Sequence, residues 1–111
     1  MKSLRRIYEI VSEAVLETTG AGTLKGNTED AVLARAVLVR TLLDEGLTKN
    51  QISILSEMSI HTVKKYSMAW PEKCRSSKMY RHFRLEVRNQ VHETVQELMQ
   101  QSEYLSKQRK Q

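Results

Sequence analysis

The chain contains 111 residues, a length that accommodates one domain with a modest core but not two independent domains. One proline and four glycines interrupt a sequence otherwise rich in helix-favouring residues, so the composition predicts an all-α fold. Eighteen Lys and Arg exceed 13 Asp and Glu, and the formal net charge of +5 suits a polyanionic partner. The single cysteine excludes an internal disulfide, and no apolar run reaches the roughly 20 residues that span a bilayer. We therefore expect a cytoplasmic protein with no membrane partner.

The first predicted element is an amphipathic helix. Apolar residues recur at three- and four-residue spacing from Leu4 to Leu16, with charged residues between them. The helix is predicted to end within residues 18–23, because glycines and threonines there favour irregular chain.

A second helix is predicted to begin at Asn27 or Thr28, because either side chain can cap free backbone N–H groups. Its apolar face is broad and comprises Val32, Leu33, Ala36, Val37, Val39, Leu42 and Leu43. So wide a face is typical of a central, mostly buried helix. Gly46 follows the last apolar residue, where a left-handed residue would end the helix.

Residues 47–66 have the spacing of a helix-turn-helix. Thr48 can cap a short helix whose inward residues are Ile52 and Leu55, and Met58 fills the turn. Ser59 can then cap a second helix, from which Val63 and Tyr66 return to the core. The same segment is also compatible with two capped helices in a bundle whose polar residues face water, but the agreement of all the spacings favours the helix-turn-helix.

The second helix of this pair is predicted to enter a major groove of DNA. Ile60, His61 and Thr62 are the predicted base-reading residues, and Lys64 and Lys65 are the predicted phosphate contacts. Ser59 and the free N–H groups of the helix terminus can also hold a phosphate. The remaining residues predicted to contact DNA are Thr48, Lys49, Lys73, Arg75, Lys78 and Arg81.

Trp70-Pro71 marks a boundary, because proline disfavours helical geometry in the residue before it. We therefore divide the chain into a helical domain at residues 1–70 and, at residues 71–111, a basic segment followed by a long helix. That helix is predicted to begin near Ser76 or Ser77 and to end near Lys107, since neither Gly nor Pro occurs between. It either packs on the core or dimerises.

Six cations lie within residues 73–88, against one acidic residue, Glu86. On a helix, Arg81, Arg84 and Arg88 share a face. They predict a stripe that contacts phosphates beside the recognition helix and adds salt-dependent affinity. A solvated helix face is the equally weighted alternative.

The last predicted helix also carries an apolar line. The members of this line are Met79, Phe83, Val87, Val91, Val95 and Leu98. The alternating four- and three-residue steps of a coiled-coil seam are fitted by Val87, Val91, Thr94, Leu98, Gln101 and Leu105. This pattern favours a homodimer through the C-terminal helix, which would bring two recognition helices to two half-sites. Folding back of the same residues onto the core is the alternative.

The order of these segments resembles a known class of DNA-binding domain. Residues 46–66 are similar to the helix-turn-helix of response-regulator output domains and of the related Trp-repressor-like class. Over a longer span the chain resembles the C-terminal DNA-binding domain of the bacterial replication initiator DnaA. The matching segments are Ile7-Tyr8-Glu9-Ile10-Val11, Leu24-Lys25-Gly26-Asn27, Val32-Leu33-Ala34-Arg35-Ala36-Val37 and His61-Thr62-Val63.

In that family a helix, a loop and a long helix precede the helix-turn-helix, and the resemblance covers a little over half of this chain. Ala34-Arg35 falls where the family has an Ala-Arg pair, and His61-Thr62-Val63 falls near its Asp-His-Thr-Thr-Val signature. The resemblance implies an all-α domain that binds double-stranded DNA.

No motif in the sequence indicates an enzyme. A Gly-x-x-x-x-Gly-Lys-Ser/Thr phosphate loop does not occur, and the three histidines and Cys74 lack the spacing of zinc ligands. We expect no catalytic residue, cofactor, metal or small-molecule substrate.

The sequence thus predicts sequence-specific binding of double-stranded DNA, in transcription regulation or as a replication accessory factor. The alternative is a helical protein-interaction adaptor without direct DNA contact, in which the final helix is the working surface.

Overall fold

The computed structural model describes the backbone of residues 2–68 and 77–109 and the side chains of residues 3–68 and 78–101. Within these residues the chain forms five α-helices and no strand, so the predicted all-α fold is confirmed. The helices are α1 (Lys2–Thr19), α2 (Glu29–Asp44), α3 (Lys49–Ser56), α4 (Ile60–Ser67) and α5 (Ser77–Arg109). Across the described residues, none of them is long and apolar enough to cross a membrane.

The helix termini lie where the local sequence predicts them. Thr28, Thr48 and Ser59 are the N-caps of α2, α3 and α4, and each hydroxyl accepts a hydrogen bond from a backbone N–H three residues later. Gly46 has a φ of 109° just after α2, and its N–H donates to the carbonyl of Leu43 at 3.0 Å. This left-handed glycine turns the chain towards α3, as its position after the apolar face predicts.

The core is organised around α2, in which nine of 16 residues are buried. Each of the other four helices packs against α2, so this helix is the centre of the fold, as its broad apolar face predicts. From α1, the apolar side chains of Ile7, Val11 and Val15 are fully buried in the same core.

The long helix α5 folds back along the domain. Its most extensive contact is with α1, and it also packs on α2. Val87, Val91 and Val95, each one turn after the last, are buried in the core that these helices share. Of the two arrangements open to the C-terminal helix, packing on the core is therefore observed for this stretch. The boundary predicted at Trp70-Pro71 lies outside the described residues.

Candidate nucleic-acid interface

The helices α3 and α4 form the predicted helix-turn-helix. Thr48 and Gln51 make a capping box, in which the Gln51 N–H donates to the Thr48 hydroxyl at 3.1 Å and the Thr48 N–H donates to Gln51 Oε1 at 2.9 Å. Ile52 and Leu55 are buried, as predicted. The first turn of α3 is thus fixed at the surface by its cap and inside by its apolar residues.

The turn between α3 and α4 is held by two serines, Ser53 and Ser56, for which the sequence predicts no role. The Ser53 hydroxyl donates to the Met58 carbonyl at 2.6 Å, and the Met58 N–H donates to the Ser56 hydroxyl at 3.2 Å. Between them Glu57 adopts a left-handed conformation with a φ of 65°, which glycine or asparagine adopts at lower cost. The side chain of Met58 packs against the core, as expected for the residue that fills the turn.

One face of α4 is buried and the opposite face is open. Val63 and Tyr66 are buried against the core. His61, Lys64 and Lys65 are exposed on the far side. The exposed face of α4 therefore carries both predicted phosphate contacts, Lys64 and Lys65, and one of the three predicted base-reading residues, His61.

Two of the predicted base-reading residues flank this open face. Ile60 and Thr62 are half-buried, and the Thr62 hydroxyl lies 2.9 Å from that of the N-cap Ser59. Thr62 N–H also donates to the Ser59 hydroxyl at 3.2 Å. Ser59 and Thr62 thus help to fix the start of the helix, whereas His61 projects from the middle of the open face.

The open face of α4 is cationic and contains no carboxylate. Among the described residues, no ion pair involves Lys64 or Lys65. The Lys65 ammonium lies 6.0 Å from the centroid of the Tyr66 ring, at the edge of the cation–π range. Of the other predicted contacts on this helix pair, Thr48 and Lys49 are exposed at the start of α3.

Arg35 connects α4 to the loop between α1 and α2. Its Nε donates to the Tyr66 hydroxyl at 3.0 Å, and its Nη1 donates to the carbonyls of Leu24 and Gly26, both at 2.7 Å. The resemblance singled out this arginine but assigned it no role in the fold. Arg35 acts as a positioning residue, because its hydrogen bonds hold the loop next to the buried side of α4.

The same loop lies beside the helix-turn-helix. Residues 22–27, the turn at residues 56–58, Thr62 and Tyr66 line one open cleft of about 640 Å³. Lys25, an exposed cation on this loop, therefore flanks α4, and it is absent from the set of contacts predicted from the sequence. The position of Lys25 beside α4 does not follow from any periodicity of the sequence, because the loop is joined to α4 through the side chain of Arg35.

The C-terminal end of α4 is tied to α2 and α5 by a polar network. Arg40 Nη1 donates to the Ser67 carbonyl at 3.2 Å, and its Nη2 lies 2.9 Å from Asp44 Oδ1. The other oxygen of Asp44 accepts from Arg84 of α5 at 2.9 Å. Together with the Arg35–Tyr66 hydrogen bond, these contacts fix the C-terminal end of α4.

The predicted basic stripe is only partly described. Lys78 and Arg81 are exposed on α5, and Lys73 and Arg75 lie outside the described residues. Arg81, Arg84 and Arg88 line one cleft against the end of α2, but Arg84 is engaged by Asp44. The three guanidinium groups are therefore not equivalent.

Comparisons of the chain with protein-family models, with curated proteins and with solved structures gave no match. The resemblance to the initiator domain accordingly rests on the quoted segments and on the order of the helices.

Proposed function

We propose that this protein binds double-stranded DNA, with α4 in the major groove, and acts as a transcription regulator or a replication accessory factor. One observation carries the proposal. A capped and anchored helix exposes His61, Lys64 and Lys65 on one face, while Val63 and Tyr66 fix its opposite face in the core. Such a helix meets the requirements for reading a groove: a fixed orientation, positive charge and short side chains near its N-terminus.

The proposed contacts follow from the position of each side chain on α4. His61 is central and can hydrogen-bond a base edge, whereas Lys64 and Lys65 have the length and charge to reach the backbone. Ile60 and Thr62 border the open face, where their methyl groups suit apolar contact with thymine. Lys49, Lys78 and Arg81 supply further phosphate contacts in this proposal.

A homodimer through α5 belongs to the same proposal, because a dimer brings two copies of α4 to half-sites about 34–36 Å apart. Val87, Val91 and Val95 are buried within the protomer, so they are not available to a partner. The dimer has to use the neighbouring face of α5, on which the seam residues Thr94 and Gln101 are exposed.

The test is fluorescence anisotropy with random-sequence and genomic-library duplexes over a range of salt concentrations. We expect affinity to fall steeply with salt, because bound cations of the DNA are released. Replacing His61, Lys64 and Lys65 together by alanine should abolish the preference among duplexes. It should also reduce the slope of log affinity against log salt by about 2, close to one unit for each lost phosphate contact.

The matched control is the double variant R5A/R6A, which also removes two exposed cations but from α1. Its net charge equals that of the triple variant, so non-specific attraction is lowered equally in both. The proposal requires the control to retain duplex preference. Equal losses in the two variants, or no salt-sensitive binding by the native chain, would contradict it.

The adaptor alternative has less support. Its working surface was the apolar line of the final helix, and the valines of that line are buried against α1 and α2. Met79 and Leu85 are the large apolar side chains that α5 exposes among its described residues. The adaptor would be favoured if the chain binds a protein partner, if that binding is unaffected by salt and by the α4 substitutions, and if it is lost in L85E.

A further inference from the structure

A second cleft lies where the end of α2 meets the first turns of α5. It has a volume of about 320 Å³. Three arginines of α5, Arg81, Arg84 and Arg88, face Thr41, Asp44 and Glu45 across it. The volume accommodates a small anion with part of the molecule that carries it.

The two acidic residues of this cleft already have partners. Asp44 is paired with Arg40 at 2.9 Å through one oxygen and with Arg84 at 2.9 Å through the other. Glu45 is buried, and both of its carboxylate oxygens lie 2.8 Å from His92 Nδ1. Gln96 Nε2 donates to Glu45 Oε2 at 2.7 Å. Both carboxylates are therefore bonded within the fold, and among the described residues neither is paired with Arg81 or Arg88.

Two cations of the cleft have no such partner within the described part of the chain. Among the described residues, no ion pair involves Arg81 or Arg88, and both side chains are exposed. They lie three residues before and four residues after Arg84, so all three guanidinium groups are on one face of α5. The cleft thus has an excess of planar, multidentate donors, the groups that recognise phosphate and carboxylate oxygens.

Thr41 provides a second and independent observation. It is 3% exposed, it lines the cleft, and its buried hydroxyl has no hydrogen-bond partner within the described part of the chain. Helical threonines commonly donate to the carbonyl four residues earlier, and an unpaired buried hydroxyl is costly. Rotation about χ1 turns such a hydroxyl to a new acceptor, and an anion in the cleft would supply one.

We propose that this cleft binds a phosphate group, held by Arg81 and Arg88 with help from Arg84 and the Thr41 hydroxyl. Phosphate suits these groups because its charged oxygens accept hydrogen bonds from guanidinium and hydroxyl donors. The network from Asp44 through Arg40 to Ser67 joins the cleft to the end of α4. The phosphate can therefore come from the DNA backbone beside α4, a source that rests on the proposed function, or from a free phosphorylated molecule, which does not.

The first experiment titrates inorganic phosphate into the full chain and follows the arginine Nε–H and Thr41 amide signals by NMR. We expect saturable shifts at Arg81, Arg84, Arg88 and Thr41. The variant R81A/R88A should weaken phosphate binding about tenfold or more, because it removes two charged donors. R5A/R6A, with the same change in charge, should bind as the native chain does. Small, unsaturable shifts of equal size in all three proteins would overturn the proposal.

A second arm separates the two sources of phosphate. If the DNA backbone occupies the cleft, R81A/R88A should lower the salt slope of duplex binding by about 2 and keep the preference among duplexes. If a free phosphorylated molecule occupies it, the salt slope should fall by no more than about 1, for the Arg81 contact of the proposed function, while phosphate binding is lost. Saturable phosphate binding by a chain that binds no duplex would overturn the proposed function and support this site.

The variant T41V tests the hydroxyl without a change in charge or shape. Native-like folding is expected, because the hydroxyl has no partner to lose within the described residues. A several-fold weaker affinity for phosphate would support the Thr41 contact. Unchanged affinity in T41V together with unchanged affinity in R81A/R88A would exclude the cleft as the site.

Discussion

The helix pair α3–α4 is bounded by local hydrogen bonds, whereas the long helix α5 is positioned by contacts with distant parts of the chain. The ends of α3 and α4 are set by Thr48 and Ser59, each of which bonds to a backbone N–H three residues away. The position of α5 is set by contacts with distant segments, such as the ion pair from Arg84 to Asp44 and the hydrogen bonds from Gln96 to Glu45. The local sequence therefore predicts the structure of the helix pair better than it predicts the position of α5.

The cations of α4 and α5 also differ in whether they have acidic partners. Lys64 and Lys65 project from α4 without an acidic partner among the described residues, whereas Arg84 on α5 is paired with Asp44. Both regions look equally basic in the sequence. Only the fold shows that the arginines of α5 border the carboxylates of Asp44 and Glu45, which changes what they can bind.

The largest expected effect concerns the buried face of α5. V91D places a carboxylate at a side chain that is 2% exposed, between Val87 and Val95. Burying an unpaired charge should reduce the free energy of unfolding by about 4 kcal/mol or more. Thermal denaturation followed by circular dichroism measures the loss.

The control for V91D is T94D, which alters an exposed position of the predicted coiled-coil seam. Its stability should stay within about 0.5 kcal/mol of the native value. Sedimentation equilibrium then tests the seam directly, since a dimer through this face should dissociate in T94D. A folded V91D monomer would contradict the observed packing of α5.

The next effect compares two histidine–glutamate contacts on α5. His92 Nδ1 reaches the buried carboxylate of Glu45, whereas His82 pairs at 3.3 Å with Glu86 on the exposed helix surface. H92A should cost about 1–3 kcal/mol, because a buried charged acceptor loses a donor. H82A should cost less than about 0.5 kcal/mol, as surface pairs do. Urea denaturation of both variants checks the contrast, and equal costs would refute it.

A smaller effect of opposite sign is expected in the two helix-ending turns. Gly46 and Glu57 both have positive φ, but only glycine adopts this conformation without strain. E57G should raise the free energy of unfolding by up to about 1 kcal/mol, and G46A should lower it by about 1 kcal/mol or more. Chemical denaturation measures both, and a destabilised E57G would mean that the Glu57 side chain makes a contact worth more than the strain.

The smallest effect depends on pH. Burial raises the pKa of the Tyr80 hydroxyl above its ordinary value, and the charges of Arg84 and Arg40 offset this only in part. The unfolded chain therefore loses this proton first, so stability present at neutral pH declines as pH rises past the unfolded pKa of about 10. The native chain should lose stability more steeply than Y80F above about pH 10. Parallel urea-denaturation profiles for the two proteins would show that Tyr80 is not linked to folding.

Some features of the structure could be predicted from the sequence and others could not. The caps Thr48 and Ser59 and the buried pair Val63 and Tyr66 were predicted correctly, because caps and helical periodicity act within a few residues. Thr28, the cap of α2, was one of the two residues predicted for that position. The seam on α5 was ambiguous, since an apolar line is the same whether it faces a second chain or the core of its own chain. Arg35 was noticed only through the resemblance, and its partners, Tyr66, Leu24 and Gly26, lie 31, 11 and 9 residues away.

The sequence by itself determined the all-α class, the ends of the helices and the open face of α4, because these depend on backbone capping and on a period of 3.6 residues. Tertiary structure alone decided that α5 packs along α1 and α2, that Arg35 holds the loop against α4, and that Arg81 and Arg88 border a cleft beside Asp44. Each of these features depends on groups that are far apart in the chain. Such groups come together only when the core folds, so no local sequence pattern indicates their contact.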